Sequence, residues 1–497
     1  MKSVVIIGAG VGGLFTGAIL AKEGFRVTVL EKNATIGGGL QNFTRFGEVF
    51  DTGMHVIGGM QQGGNVRKIC AFLGILDKVS VVDVDDACMD VLYFSEDKMT
   101  YRLSKGKENF VASLAEYFPA ERDNLERYVK AIYSIADEVD LFNLRPSAPD
   151  LKAPSAEFLM AADDFIAKYI KDKRLRSVLA YMNPLYGGRG GQTPAYIHSI
   201  INVLYINGAS RFAGGSAKFA DLLAGVILDS GGAVLPGDGV SAIRLEGGAV
   251  CGIETIGGKL YSADYYISAI HPCALLELLP PEAFTRAYRN RISNVQNAYS
   301  AFSLYIKTKP GTFPYINHSE YFMTRYDDVW NFGCTGKPWP LGFMSMTPPD
   351  AVPGPWASKV LITAPMLFDS VKQWENTTVG HRGADYLSWK EEKKELLLDM
   401  MEELHPGFRF CVEAVNTSSP LTIRDYYAVK EGSICGFSKD CNNIMLSQLP
   451  VVTKIPNLLL TGQNNNLHGF CGVSLTAIST CEAILGRNSL IEKINKF

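Results

Sequence analysis

The sequence predicts an α/β protein built on a parallel sheet, and three observations carry that prediction. First, Val4-Val5-Ile6-Ile7 is a run of four β-branched residues, the pattern of a strand buried on both faces. Second, Gly8-Ala9-Gly10-Val11-Gly12-Gly13 follows at once and opens an apolar helix running to Lys22. Third, Arg26-Val27-Thr28-Val29-Leu30 reads as a second strand and ends at Glu31, eighteen residues past Gly13. Strand, glycine turn, helix, strand and acid in this order make a dinucleotide-binding unit. Gly8 and Gly10 let backbone N–H groups approach a pyrophosphate, and Val11 and Gly12 stand at the positive end of the helix. Gly13 lets that helix pack on its strand, and Glu31 is placed to take the ribose hydroxyls.

Three later pieces decide which dinucleotide. Glu31-Lys32 leads into Ile36-Gly37-Gly38-Gly39-Leu40, a second glycine turn where bare backbone can cross a long, extended cofactor. Short strands at 231–235 and 240–245 begin a meander that returns through 250–255 and 260–269, with Val240 expected against an adenine. Near the end, Asn457-Leu458-Leu459-Leu460-Thr461-Gly462-Gln463 reads as strand then turn, and Gly472-Val473-Ser474 opens a last helix. The positive end of such a helix favours an anionic reduced ring. The predicted cofactor is FAD. The predicted fold is that of a two-dinucleotide-binding-domain flavoprotein, a discontinuous Rossmann-like FAD domain with a mixed α+β substrate domain.

The expected FAD domain comprises 1–80, 206–275 and 445–497, and the expected substrate domain 81–205 and 276–444. Within the first insertion, amphipathic helices are predicted at 108–117, 120–139 and 156–170, punctuated by Pro146-Ser147-Ala148-Pro149-Asp150 and Pro154. Tyr186-Gly187-Gly188-Arg189-Gly190-Gly191 reads either as a lid with Arg189 at its mouth or as a plain helix connection. In the second insertion, Tyr299–Ile306 and Val360–Met366 read as strands, and the charged stretch from Tyr386 to Leu404 as a helix with a solvated face.

Composition narrows the function classes. A net charge of −3 gives no electrostatic case for nucleic acid. No apolar run approaches the roughly twenty residues that span a bilayer, and the glycines interrupt any signal-peptide pattern at the N-terminus. Ten cysteines without C-x-x-C spacing predict free thiols in a cytoplasmic protein, with no metal site. Cys471 reads as a small buried filler or as a neighbour of the ring. The sequence carries no signal for an oligomeric state.

The run Gly37-Gly38-Gly39-Leu40-Gln41-Asn42-Phe43 through Phe50-Asp51-Thr52-Gly53-Met54-His55-Val56-Ile57-Gly58 resembles the phytoene desaturase, carotenoid isomerase and retinol saturase family. Carotene desaturases usually carry Arg where Gly39 stands. The histidine at His55 and the ending Thr461-Gly462-Gln463 are most similar to the retinol saturase branch. The resemblance implies an FAD-dependent oxidoreductase acting on carbon–carbon double bonds of an apolar polyene, as saturase, desaturase or isomerase by flavin-mediated hydride transfer. It implies an apolar lipid substrate. NAD(P)H has no fingerprint of its own here, so as electron donor it would visit transiently.

No Ser-His-Asp, zinc or paired-carboxylate pattern is visible, as expected where a cofactor does the chemistry. His55 is the one candidate catalytic residue, as proton donor or charge partner of a reduced ring, against a structural role steadying its turn. His468 is a second histidine in a flavin-facing turn. Tyr321-Phe322-Met323 and Phe343-Met344-Ser345-Met346 suit a tunnel for a flexible chain, or ordinary core. A peripheral membrane contact is expected at the substrate mouth, with Phe158, Leu159, Phe165, Ile166 and Ile170 offering an apolar side that core packing explains equally well. Two other readings share the architecture: a flavin amine oxidase, and a non-catalytic carrier of prenylated partners.

Overall fold

The structure is a computed structural model that describes residues 1–147 and 153–497. The predicted punctuation at 148–150 lies outside the described residues. A five-stranded parallel sheet runs Ala233–Leu235, Arg26–Leu30, Ser3–Ile7, Tyr265–Ser268, Leu458–Leu460. Its strands therefore come from three separated stretches of chain. Ser3–Ile7 is central, and Val4, Val5, Ile6 and Ile7 are all buried. Full burial of each such side chain contributes about 1.5–3 kcal/mol, which explains a β-branched run with no polar face.

The helix Val11–Lys22 is buried from Gly12 to Ala21 because it is covered on two sides, by the helices Ala217–Asp229 and Gly469–Leu485. Aromatic rings pin the three together. Phe15 sits 5.7 Å from Phe219 and 5.7 Å from Phe470, and Phe219 sits 5.0 Å from Phe470. The two contacts of Phe470 are edge-on, and such pairs add about 0.5–1.5 kcal/mol each beyond burial. They fix the start of the last helix over the first glycine turn.

A second, seven-stranded mixed sheet runs Val412–Ser418, Ser300–Thr308, Lys359–Met366, Gly342–Met346, Ser319–Met323, Asp90–Phe94, Met99–Leu103. All its pairs are antiparallel except Ser319–Met323 with Asp90–Phe94. The meander Val240–Glu246, Ala249–Thr255, Leu260–Tyr261 forms a small antiparallel sheet of its own.

The first insertion departs from its sequence pattern at one helix. Residues 156–160 are turn, and the helix spans only Ala162–Tyr169. Phe165, Ile166 and Ile170 are buried in the main core, and Phe158 stacks on Tyr196 at 4.5 Å. Of the apolar side expected at a membrane, Phe165, Ile166 and Ile170 are core and Leu159 is exposed at 39%. Arg189 is likewise tied down, its Nη1 donating to the Gly333 carbonyl at 2.7 Å and its backbone N–H to Thr193 Oγ1 at 2.8 Å. The glycine-rich stretch around it is a connection. Among the described residues, no helix is long and apolar enough to cross a membrane.

Candidate active site

One large cavity of about 550 Å³ runs between the two sheets. At one end the glycine turns meet. The Gly37 N–H donates to the Ala9 carbonyl at 2.7 Å, which binds the second glycine turn onto the first. Gly13 is in direct contact with the strand end, where a Cβ would lie 2.0 Å from the Gly8 carbonyl oxygen. The helix Val11–Lys22 has no side-chain cap at its N-terminus and no acid in its first turn. Gly10, Val11 and Gly12 bring this helix start onto the cavity, where an anion is favoured.

Glu31 is 8% exposed, and both carboxylate oxygens are engaged. Oε2 accepts from the Ala9 N–H at 2.8 Å and Oε1 from the Asn33 N–H at 2.9 Å. These bonds hold the carboxylate at the cavity edge with lone pairs left for two hydroxyls. Lys32, Gly38, Gly39 and Val240 line the same end. Lys32 Nζ donates to the Asp425 carbonyl at 3.1 Å and Asn33 Nδ2 to the Tyr426 carbonyl at 2.9 Å. A segment of the second insertion is thereby drawn over the acid, with Ala428 in the left-handed region at φ 52°.

At the middle of the cavity stand His55, Gly462, Gln463 and Val473, with Phe470 beside them. Asp51 accepts from the Ser216 N–H at 2.7 Å and from Ser216 Oγ at 2.8 Å, which steadies the turn bearing His55. His55 Nδ1 is buried and has no hydrogen-bond partner among the described residues. Burial lowers the His55 pKa below its ordinary value; the Asp51 charge opposes this and the Arg211 charge adds to it. The imidazole is therefore neutral at pH 7. In this state it is a hydrogen-bonding group able to accept a proton.

The far wall is a row of side chains crossing four strands of the seven-stranded sheet. Ser303 pairs with Thr363, Thr363 with Met344, and Met344 with Tyr321, all on the cavity face. Ala301, Pro365, Met323 and Phe343 complete it. No charged residue of these strands lines the cavity among the described residues.

Four expected cofactor residues are not on the cavity wall. Gly13 serves helix–strand contact. Leu40 is fully buried in the core, with its carbonyl accepting from Ser216 Oγ at 3.0 Å. The last helix begins at Gly469, three residues earlier than expected, so Gly472 packs against Leu467 and Ser474 Oγ bonds the Cys471 carbonyl at 2.7 Å. Cys471 is buried filler, its thiol meeting Asn65 Oδ1 at 3.3 Å. Conversely, Tyr205, His271 and the 426–429 segment line the cavity and were not foreseen. His271 had a local signal: it caps a helix begun by Pro272 just past a strand end, accepting from the Cys273 N–H at 3.2 Å. The 426–429 segment had none.

A dinucleotide cradle continuous with an uncharged wall defines a two-sheet flavin-dependent oxidoreductase. The chain belongs to the flavin-containing amine oxidoreductase family, which it matches over residues 11–485. It is 29% identical to the all-trans-retinol 13,14-reductase of Macaca fascicularis, over 98% of this chain and 86% of that protein. It is 26% identical to prolycopene isomerase 1 of an Oncidium hybrid cultivar, over 86% of this chain and 74% of that protein. In fold it is similar to the crystal structure of an oxidoreductase from Methanosarcina mazei, with a TM-score of 0.67 at 19% identity over 97% of this chain and all of that one.

Proposed function

We propose that the protein is an FAD-dependent oxidoreductase that acts on a carbon–carbon double bond of an apolar polyene. One observation carries this reading: the glycine turns with Glu31 and the uncharged row Ser303, Thr363, Met344, Tyr321 line one continuous cavity. The parallel-sheet half would hold the cofactor and the seven-stranded half the substrate. When bound, a flavin supplies reversible two-electron chemistry at carbon.

The residues present fit FAD. Glu31 would take the ribose, the N–H groups at Gly10, Val11 and Gly12 the pyrophosphate, and Gly38 and Gly39 would let the cofactor cross the second turn. Val240 would lie against the adenine, and Gly462, Gln463, Gly469 and Val473 would border the ring. His55, held by its turn, would accept or return a proton at Nδ1. The wall of the seven-stranded sheet would exclude water and orient a chain that offers no polar handle along its length. The names of the relatives, a retinol reductase and a prolycopene isomerase, support the polyene class. NAD(P)H as a visiting electron donor belongs to the same proposal.

The test is anaerobic incubation of flavin-loaded protein with retinoids and carotenoids, in both flavin oxidation states. Loss, gain or rearrangement of polyene absorbance is expected. A full panel without turnover, together with peroxide release from amines, would replace this reading with an amine oxidase.

A further inference from the structure

A second cavity, of about 40 Å³, lies behind the main one, and Leu185, Tyr205, Gly469 and Phe470 contribute to both. Its remaining wall is largely aliphatic, with Ile57, Ile197, Ile200 and Leu204. The exception is His468. This residue is 4% exposed, and neither Nδ1 nor Nε2 has a hydrogen-bond partner among the described residues. The other deeply buried histidines differ in this respect. His198 is bonded to Tyr128 at 2.7 Å and Tyr186 at 2.9 Å, and His271 to Asn297 at 3.2 Å. Buried polar atoms are almost always paired, so a histidine lacking both partners marks a place for a ligand group.

Burial, with Lys439 adding to it, brings the His468 pKa down to about 3, so the ring is neutral and offers one donor and one acceptor. A hydroxyl matches that pair, since it gives and takes a hydrogen bond at once, and a carbonyl matches the donor alone. The cavity holds a small polar group with a carbon or two, about three waters' worth, and no more. The apolar body of any ligand must therefore lie in the main cavity.

We propose that His468 recognises the oxygen-bearing end of the substrate: the apolar chain lies against the seven-stranded sheet, and its terminal hydroxyl or carbonyl reaches past Tyr205 and Phe470 to the imidazole. The inference rests on the polyene reading and makes His468 a specificity residue.

The test compares kcat/KM for a polyene alcohol and for the matching hydrocarbon without oxygen, in flavin-loaded wild type, His468→Phe and His468→Gln. His468→Phe should lower kcat/KM for the alcohol about tenfold to a hundredfold and leave the hydrocarbon within about twofold. His468→Gln, which keeps a donor and an acceptor, should recover part of the loss, and it decides the matter if the Phe variant does not fold. Flavin content should be equal in all folded variants. Equal losses on both substrates, as for a site that holds only a water, or a variant that sheds its flavin, would overturn the assignment of His468. If wild type turns over neither polyene, the substrate reading falls, and the inference with it.

Discussion

Gly13 and Gly8 touch through their backbones: a Cβ on Gly13 would stand 2.0 Å from the Gly8 carbonyl oxygen, whereas a Cβ on Gly10 would meet nothing within 4 Å. Two glycines of one turn thus have different jobs. Gly13→Ala should unsettle the helix Val11–Lys22 and with it the parallel sheet, seen as a large drop in Tm with or without flavin. Gly10→Ala should fold normally and lose flavin affinity about tenfold or more, because its methyl occupies space left for the pyrophosphate. Thermal melts and flavin titration of the two variants check this. A Gly10→Ala protein that binds flavin normally would show that the pyrophosphate lies elsewhere.

Glu31 accepts two backbone N–H groups, from Ala9 and Asn33. Glu31→Gln replaces one acceptor oxygen by an amide that faces an N–H. The expected cost is about 1–3 kcal/mol in the buried turn, with a weaker grip on the ribose in addition. Equilibrium denaturation and flavin dissociation constants measure the two effects separately.

His55 carries a lowered pKa, so its activity limb should fall on the acid side, below the ordinary histidine range of about 6.5. Above that limb the neutral ring can accept a proton; below it the ring is charged and cannot. His55→Asn should cut turnover by about a hundredfold, retain flavin and flatten the acid limb. A pH–rate profile that keeps its limb in the variant would assign the titration to another group.

The outer face of the seven-stranded sheet holds an acid-sensitive latch. Burial alone would raise the Glu320 pKa, but the hydrogen bond from His405 and the charges of His405 and of His318, whose Nε2 lies 3.9 Å from Oε1, outweigh it and hold it at about 2. His405 Nε2 lies 2.8 Å from Glu320 Oε2 and joins the end of the helix Ala384–Leu404 to the strand Ser319–Met323. A depressed folded-state pKa contributes stability above the unfolded value of about 4.5 and loses it as pH falls through about 2. The shift corresponds to about 3 kcal/mol while the two imidazoles are charged. Glu320→Gln should lower stability at pH 7 and weaken its dependence on pH between about 5 and 2, as measured by denaturant unfolding.

The legible parts of the site were those in which chemistry and position coincide within a few residues. The two glycine turns, Glu31 and the Gly462-Gln463 turn could be read because a tight turn restricts φ, and a strand end places the next residue at the sheet's carboxyl edge. The misreadings came at helix starts. The last helix begins at Gly469 because Phe470 is held by Phe15 and Phe219, residues more than two hundred positions away. The amphipathic pattern of 156–170 could not say which surface its apolar side would meet; the core took Phe165, Ile166 and Ile170 and left Leu159 exposed.

By itself, the amino-acid order determined the nucleotide-binding turns, the parallel strands and the family to which the chain belongs, because each depends on backbone geometry or burial set over short spans. Only the tertiary structure decided the cavity wall on the seven-stranded sheet and the placement of His468 in the smaller cavity that shares Tyr205 and Phe470 with the main one. The row Ser303, Thr363, Met344, Tyr321 joins four strands spread over sixty residues, and its edge continues through Asp90–Phe94 from the other insertion. Such a surface has no local period to read, since its neighbours are chosen by strand register across the sheet rather than along the chain.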